Sequence, residues 1–190
     1  MQKFLISIFT VIAIMFLIVP NFENRLRGET LSYPDTHNDA VGRAIVKSFR
    51  WASDGQIRSL VNIVEQKYGS DIKEISKKYY TSPKDITAIA IVESLTDEDA
   101  QSGAGAIGLM GVKRTTGKEM GFNDIERPID NLKAGTKYYR ELLRKFKNRE
   151  LALAAYNLGP GEVKNRLAKG FNPETIDYIW KIRRVMQHVI

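Results

Sequence analysis

Glu93 is the residue whose neighbours best equip it for acid chemistry. Ile86, Ile89, Ala90 and Glu93 recur at i, i+3, i+4 and i+7, while Ala88, Ile91, Val92 and Leu95 fill the other sides of the same stretch. A helix apolar nearly all round is buried, so a carboxyl at its end loses hydration and its neutral form is favoured. Such a glutamic acid keeps its proton near neutral pH and can act as a general acid. Position alone also allows a plainer role, the polar end of a core helix turned outward or capping a neighbour.

Other chemistry is poorly supplied. The glycines of "SGAGAIGLMG" spell G-x-G-x-x-G at 103 to 108. That spacing holds a pyrophosphate only when it follows a strand directly and opens a helix. Here the polar segment "TDEDAQS" intervenes, so the glycines read as a tight turn or a close approach of backbone to ligand. The two histidines, His37 and His188, lie in a polar linker and near the last residue, which argues against a histidine metal pair or a Ser-His-Asp triad. Cys is absent, and neither G-x-x-x-x-G-K-[ST] nor H-E-x-x-H occurs, so no metal and no cofactor are expected. Asp97, Glu98 and Asp99 read as solvated loop charges; a second carboxylate positioning water there would instead make a hydrolase.

Helices must position the acid. Ser82 as N-cap, Pro83 at the first helical position and Asp85 in the first turn start the helix that carries Glu93. Before it, Val41 to Ala52 is read as a lead-in helix with Ile45 and Phe49 inward. Ile57, Leu60, Val61 and Val64 form an amphipathic stripe, and Ser70 reads as the N-cap of a helix running to Tyr80. After it, Asp130 caps "NLKAGTKYYRELLRKF", with Leu132, Tyr139, Leu143 and Phe146 on one face. "RELALAAYN" is a short apolar helix halted by "LGPG", and Val163 with Leu167 marks another. Asn172 and Pro173 open a final helix with Ile176, Ile179, Ile182, Met186 and Val189 inward. The expected fold is mainly α, with at most short strand pieces near the glycine loop.

A chain of 190 residues, 43% hydrophobic and 27% charged, suits one compact domain with a short appendage rather than bulk disorder. A net charge of +7 draws the surface towards anionic partners, but the cations are scattered and no nucleic-acid motif accompanies them, so nucleic acid is not an expected partner. Phe4 to Val19 is an apolar run without charge ending at Pro20, which addresses the chain to a membrane as a retained signal anchor or a cleaved signal peptide. Arg25 and Arg27 follow that run, and by the positive-inside rule they favour a cytoplasmic body. Asn21 to Asn38 reads as a linker.

Glu93-Ser94, "GAIGLM", "AAYNLGPG" at 154 to 161 and "ETIDYI" at 174 to 179, taken in this order, resemble the lytic transglycosylases of the soluble (SLT) type, relatives of goose-type lysozymes. "DNLKAGTKYY" resembles the family's segment before its long helix, and the likeness runs from about Ser70 to Arg184. The resemblance implies a lysozyme-like helical domain over 70–190, after a signal or anchor (1–20), a linker (21–38) and lead-in helices (39–69). It implies a cleft for peptidoglycan glycan strands and a place in the cell envelope outside the cytoplasmic membrane, which opposes the orientation that Arg25 and Arg27 favour. Glu93 then matches the family's sole catalytic carboxylate. It protonates the oxygen between N-acetylmuramic acid and N-acetylglucosamine, then takes the proton of the muramoyl C6 hydroxyl as an anhydro ring closes without water. Ser94, Gly108, Leu109, Met110, Tyr156 and Asn157 match substrate-binding positions, and Tyr178 a tyrosine that supports the acid.

The pattern is broken in places. Gly111 stands where the family has Gln, Lys113 and Arg114 where it often has Met-Pro, and Leu95 and Thr96 where it has Gly-Phe. The alternatives are a muramidase that uses water, or a peptidoglycan-binding component of a secretion, conjugation or phage-entry machine with weakened turnover.

Overall fold

The computed structural model describes residues 52–190, so the apolar run, the linker and the lead-in helix expected from Val41 lie outside the described residues. The order of elements is α1 (Asp54–Tyr79), α2 (Pro83–Ser94), β1 (Ala106–Ile107), β2 (Val112–Lys113), α3 (Arg114–Glu119), α4 (Pro128–Phe146), α5 (Arg149–Leu158), α6 (Pro160–Leu167), a 3-10 turn (Pro173–Thr175) and α7 (Asp177–Met186). The fold is mainly helical, as the periodicity predicts. Among the described residues no helix is long and apolar enough to cross a membrane.

Two helix starts differ from expectation. α1 begins at a capping box in which Ser53 Oγ accepts from Gln56 N–H and Gln56 Oε1 accepts from Ser53 N–H. It then runs unbroken through Ser70, which is exposed and caps nothing. The buried stripe Ile57, Val61, Val64, Tyr68, Ile72 and Ile75 stays in phase across that serine, and continuous burial overrides one local stop signal. Asn172 and Pro173, expected to open the last helix, open only the 3-10 turn, where Asn172 Oδ1 accepts from Glu174 N–H at 3.0 Å. Ile176 is then extended (φ −86°, ψ 137°), and α7 starts afresh at Asp177. Likewise Asp130 sits inside the first turn of α4, which starts two residues earlier at Pro128.

α2 is the central helix, packed against α1, α4 and α7. Ile86, Ala88, Ile89 and Ile91 are fully enclosed. Ser82 sits at its N-cap without a side-chain bond, and Pro83 opens its first turn. The buried Asp85 ties that turn to two other helices: it accepts from the Tyr139 hydroxyl at 2.9 Å and from Arg149 Nε and Nη2 at 3.0 and 2.7 Å. Between α2 and α4, β1 and β2 form a small antiparallel hairpin with Ala106 opposite Lys113 and Ile107 opposite Val112. That hairpin carries the glycine loop back across the end of α2.

Candidate active site

Glu93 lies one residue before the end of α2, which leaves its carboxyl at the floor of a cleft of about 300 Å³. One wall is the loop and hairpin, with Gln101, Gly108, Gly111 and Lys113; the other is formed by Tyr138 of α4, Tyr156 and Asn157 of α5, and Tyr178 and Lys181 of α7. Among the described residues lining the cleft, Glu93 is the one carboxylate.

The buried side chain of Asn131 fixes the loop. Asn131 Oδ1 accepts from Met110 N–H at 2.8 Å, and Nδ2 donates to Ile107 O at 2.8 Å and Ile125 O at 2.9 Å, so one amide is satisfied by three backbone groups. The fit demands glycine next door. Gly108 has φ +74°, and a Cβ there would lie 2.4 Å from Asn131 Nδ2. On the far side Tyr156 donates its hydroxyl to Met110 O at 2.8 Å, which holds that ring at the cleft wall beside Tyr138, 5.4 Å away between centroids.

Burial pushes the Glu93 carboxyl up from 4.5 to about 7; hydrogen bonding from Tyr178 and the positive charge of Lys181 oppose the rise without cancelling it. The Tyr178 hydroxyl is itself buried and faces this carboxyl, in a contact looser than a well-formed hydrogen bond. Catalytic hydrogen bonds commonly tighten only when substrate is bound. Desolvation lowers the Lys181 ammonium, while Asp177 and Glu93 pull it the other way. The arrangement presents a carboxyl that titrates near pH 7, next to a phenol and a cation, in a cleft lined by tyrosines. It can donate a proton to a leaving group and take one back.

Ser94, Gly108, Tyr156, Asn157 and Tyr178 are brought together with Glu93 around the cleft. Ser94 is buried and its hydroxyl donates to Ala90 O at 2.9 Å while accepting from Thr96 N–H, so it shapes the end of α2. Leu109 and Met110 depart from the substrate contact expected of them. Both are fully buried, and neither lines the cleft. Nor are all the acidic residues after Glu93 solvated: Asp97 is buried, its Oδ1 accepting from Asp99 N–H at 3.1 Å, and Glu98 pairs with Lys67. The chain turns sharply here, and a carboxylate that accepts its own turn's amide is drawn inward. None of Asp97, Glu98 and Asp99 lines the cleft.

Asn131, Tyr138 and Lys181 were not singled out from the sequence. Asn131 shares the buried face of α4 with Gly135, Tyr139 and Leu142, and a polar residue in phase with a buried stripe is the signal that finds it. Lys181 follows Tyr178 at i+3 on α7 and so reaches the same cleft.

The described residues thus form a mainly helical domain with a desolvated carboxyl in an open cleft. The Transglycosylase SLT domain matches residues 70–179, more than half of the chain, and the chain belongs to that family. Curated relatives named membrane-bound lytic murein transglycosylase F are 37% identical over 87 residues in Cellvibrio japonicus, covering 42% of this chain and 18% of the relative. The relative in Shewanella loihica is 26% identical over 197 residues, covering 92% and 40%. The chain thus spans less than half the length of these curated relatives. Among solved structures, the lytic transglycosylase Slt inactive mutant from Pseudomonas aeruginosa, with a glutamate exchanged for glutamine, has a TM-score of 0.52 at 27% identity over 74% of this chain and 27% of that one. The 70 kDa soluble lytic transglycosylase of Escherichia coli has a TM-score of 0.54 at 20% identity, covering 94% and 32%, and it shares the fold.

Proposed function

We propose that this protein is a peptidoglycan lytic transglycosylase in which Glu93 serves first as general acid and then as general base. The observation that carries the reading is that Glu93 is the one carboxylate among the described residues lining the cleft, its titration raised by burial to about 7. A water-using glycosidase of the common kind needs a second carboxylate, as nucleophile or as base for water. One suffices when the substrate supplies its own nucleophile.

In this mechanism the Glu93 proton goes to the oxygen bridging N-acetylmuramic acid and N-acetylglucosamine, and the glycosidic bond breaks as positive charge grows at the muramoyl anomeric carbon. The new carboxylate then accepts the proton of the muramoyl C6 hydroxyl, whose oxygen attacks that carbon to close the anhydro ring. The Tyr178 hydroxyl donates to the carboxylate between the two steps. Ser94 and Gly108 support the wall, and Tyr156 and Asn157 face the sugars. The relatives' name, the inactive glutamate-to-glutamine mutant of the Pseudomonas aeruginosa protein and the family all support this reading.

Attachment to the cytoplasmic membrane through Phe4 to Val19, with 21–38 as linker and the catalytic body outside the membrane, is part of the same proposal; the relatives named membrane-bound favour it. The test is mass spectrometry of soluble products from purified peptidoglycan. Anhydromuramoyl ends are expected from the wild type, whereas reducing muramic acid ends would make the protein a muramidase. Binding to sacculi with no product from the folded protein would make it a wall-binding component.

A further inference from the structure

Lys113 lines the cleft but has no task in the reaction set out above. In β2 Val112 is buried and Lys113 exposed, and the residue opposite Lys113 in the hairpin is Ala106, also in the lining and too small to screen a lysine. The next cation, Arg114, is paired with Glu126 outside the cleft, whereas Lys113 enters no salt bridge among the described residues. Nor does it tune the acid, since the cation that holds the titration of Glu93 down is Lys181, on the opposite wall. The described lining thus carries two cations and one carboxyl, and that carboxyl is uncharged whenever it holds the proton it gives away. A cleft charged in this way favours an anionic group on its ligand. In a peptidoglycan strand the N-acetylglucosamine units are neutral. Acid is found on the lactyl arm of N-acetylmuramic acid or, where a stem peptide is joined to that arm, on the carboxylates of the peptide.

We propose that Lys113 is a specificity-determining residue whose ammonium pairs with a carboxylate borne by the lactyl arm of a muramoyl unit, either the arm's own or that of a stem peptide attached to it. The inference rests on the cleft binding peptidoglycan. Proteins of the SLT type often have methionine at this position, and methionine binds no anion, so the pairing is added to the shared reaction and replaces no part of it. The lysine is a compact charge on a flexible stem, suited to a substituent that hangs from the sugar rather than to the ring itself. That carboxylate keeps its charge throughout the reaction, so the pairing strengthens ground state and transition state alike. Its effect falls on KM and leaves kcat alone.

The test measures release of anhydromuramoyl ends by the full chain from three substrates: uncrosslinked strands with intact stem peptides, strands stripped of peptide by an amidase, and intact strands whose carboxyls are converted to neutral methylamides. Lys113→Met and Lys113→Arg are compared with wild type. Lys118→Met is the control, since it removes the same charge from an exposed position on α3 outside the cleft. Lys113→Met is expected to raise KM about three- to fivefold at a kcat close to wild type, the size of one ion pair in a solvated cleft, and the gap should close as salt is raised. Lys113→Arg and Lys118→Met should stay close to wild type, and on the methylamide strands Lys113→Met and wild type should share one KM. A rise on peptide-bearing strands assigns the partner to the stem, and a rise on stripped strands assigns it to the lactyl carboxylate. Wild-type KM for Lys113→Met on both kinds of strand, or an equal rise in Lys118→Met or on the methylamide strands, would overturn the proposal. Absence of anhydromuramoyl ends from wild type would instead overturn the reading of the reaction. The same comparison is then made on Kd for the strands in the Glu93→Gln chain, where a Lys113→Met effect of the same size upholds the pairing and no effect overturns it.

Discussion

The two ends of α2 each carry a carboxylate, and they are treated in opposite ways. Asp85 in the first turn accepts from Tyr139 and twice from Arg149 at 2.7 to 3.0 Å, and the three residues bind α2, α4 and α5 together. Glu93 in the last turn has a looser contact with Tyr178 and a glycine against its oxygen. The same helix thus buries one charge with its partners supplied and leaves the other short of them. A satisfied carboxylate holds a fold together; an under-satisfied one facing a cleft has its protonation free for chemistry.

The comparison is broken most severely at Asp85. Asp85→Ala leaves the Tyr139 hydroxyl and the Arg149 guanidinium without their acceptor, and a loss of about 3–5 kcal/mol in folding stability is expected by denaturant titration. Asn131→Ala should cost about 2–3 kcal/mol in the same measurement, since it strips three backbone groups of their partner and frees the glycine loop.

Glu93→Gln should act the other way. The folded carboxyl titrates near 7 against 4.5 when unfolded, so the folded protein holds a proton that the unfolded chain releases, and stability falls as pH rises from 4.5 through 7. The glutamine variant escapes this loss. It is expected to equal wild type at pH 4 and to exceed it by ~1–2 kcal/mol at pH 8, after discounting for the acid's partial exposure. A variant less stable than wild type at pH 8 would place Glu93 among the structural carboxylates. The smallest effect is expected from Tyr178→Phe. The hydroxyl lowers the acid's pKa, so its removal should shift the loss of activity to higher pH, with kcat down by about tenfold.

The sequence made α2 and its acid legible because Pro83, Asp85 and the apolar run all point to one buried helix. The glycine loop was legible as a loop but not in its purpose, since nothing local reveals that Gly108 lies against Asn131 or Gly111 against Glu93. Those contacts join residues 18 and 23 positions apart, and only packing creates them. Ser70 misled for a related reason. A good capping residue on the exposed face of a helix keeps its propensity without exercising it when the opposite face is continuously buried. Asp97 reads as a surface charge by type, yet its turn draws it inside.

The central claim is that burial raises the titration of the Glu93 carboxyl to near neutral pH, so that both its acid and its base form are populated there. Its most direct test is carbon-13 NMR of the full chain labelled at glutamate side-chain carboxyls, with Glu93 assigned by the signal missing in Glu93→Gln. A titration midpoint near 7 is predicted, and a midpoint at the ordinary 4.5 would contradict the account.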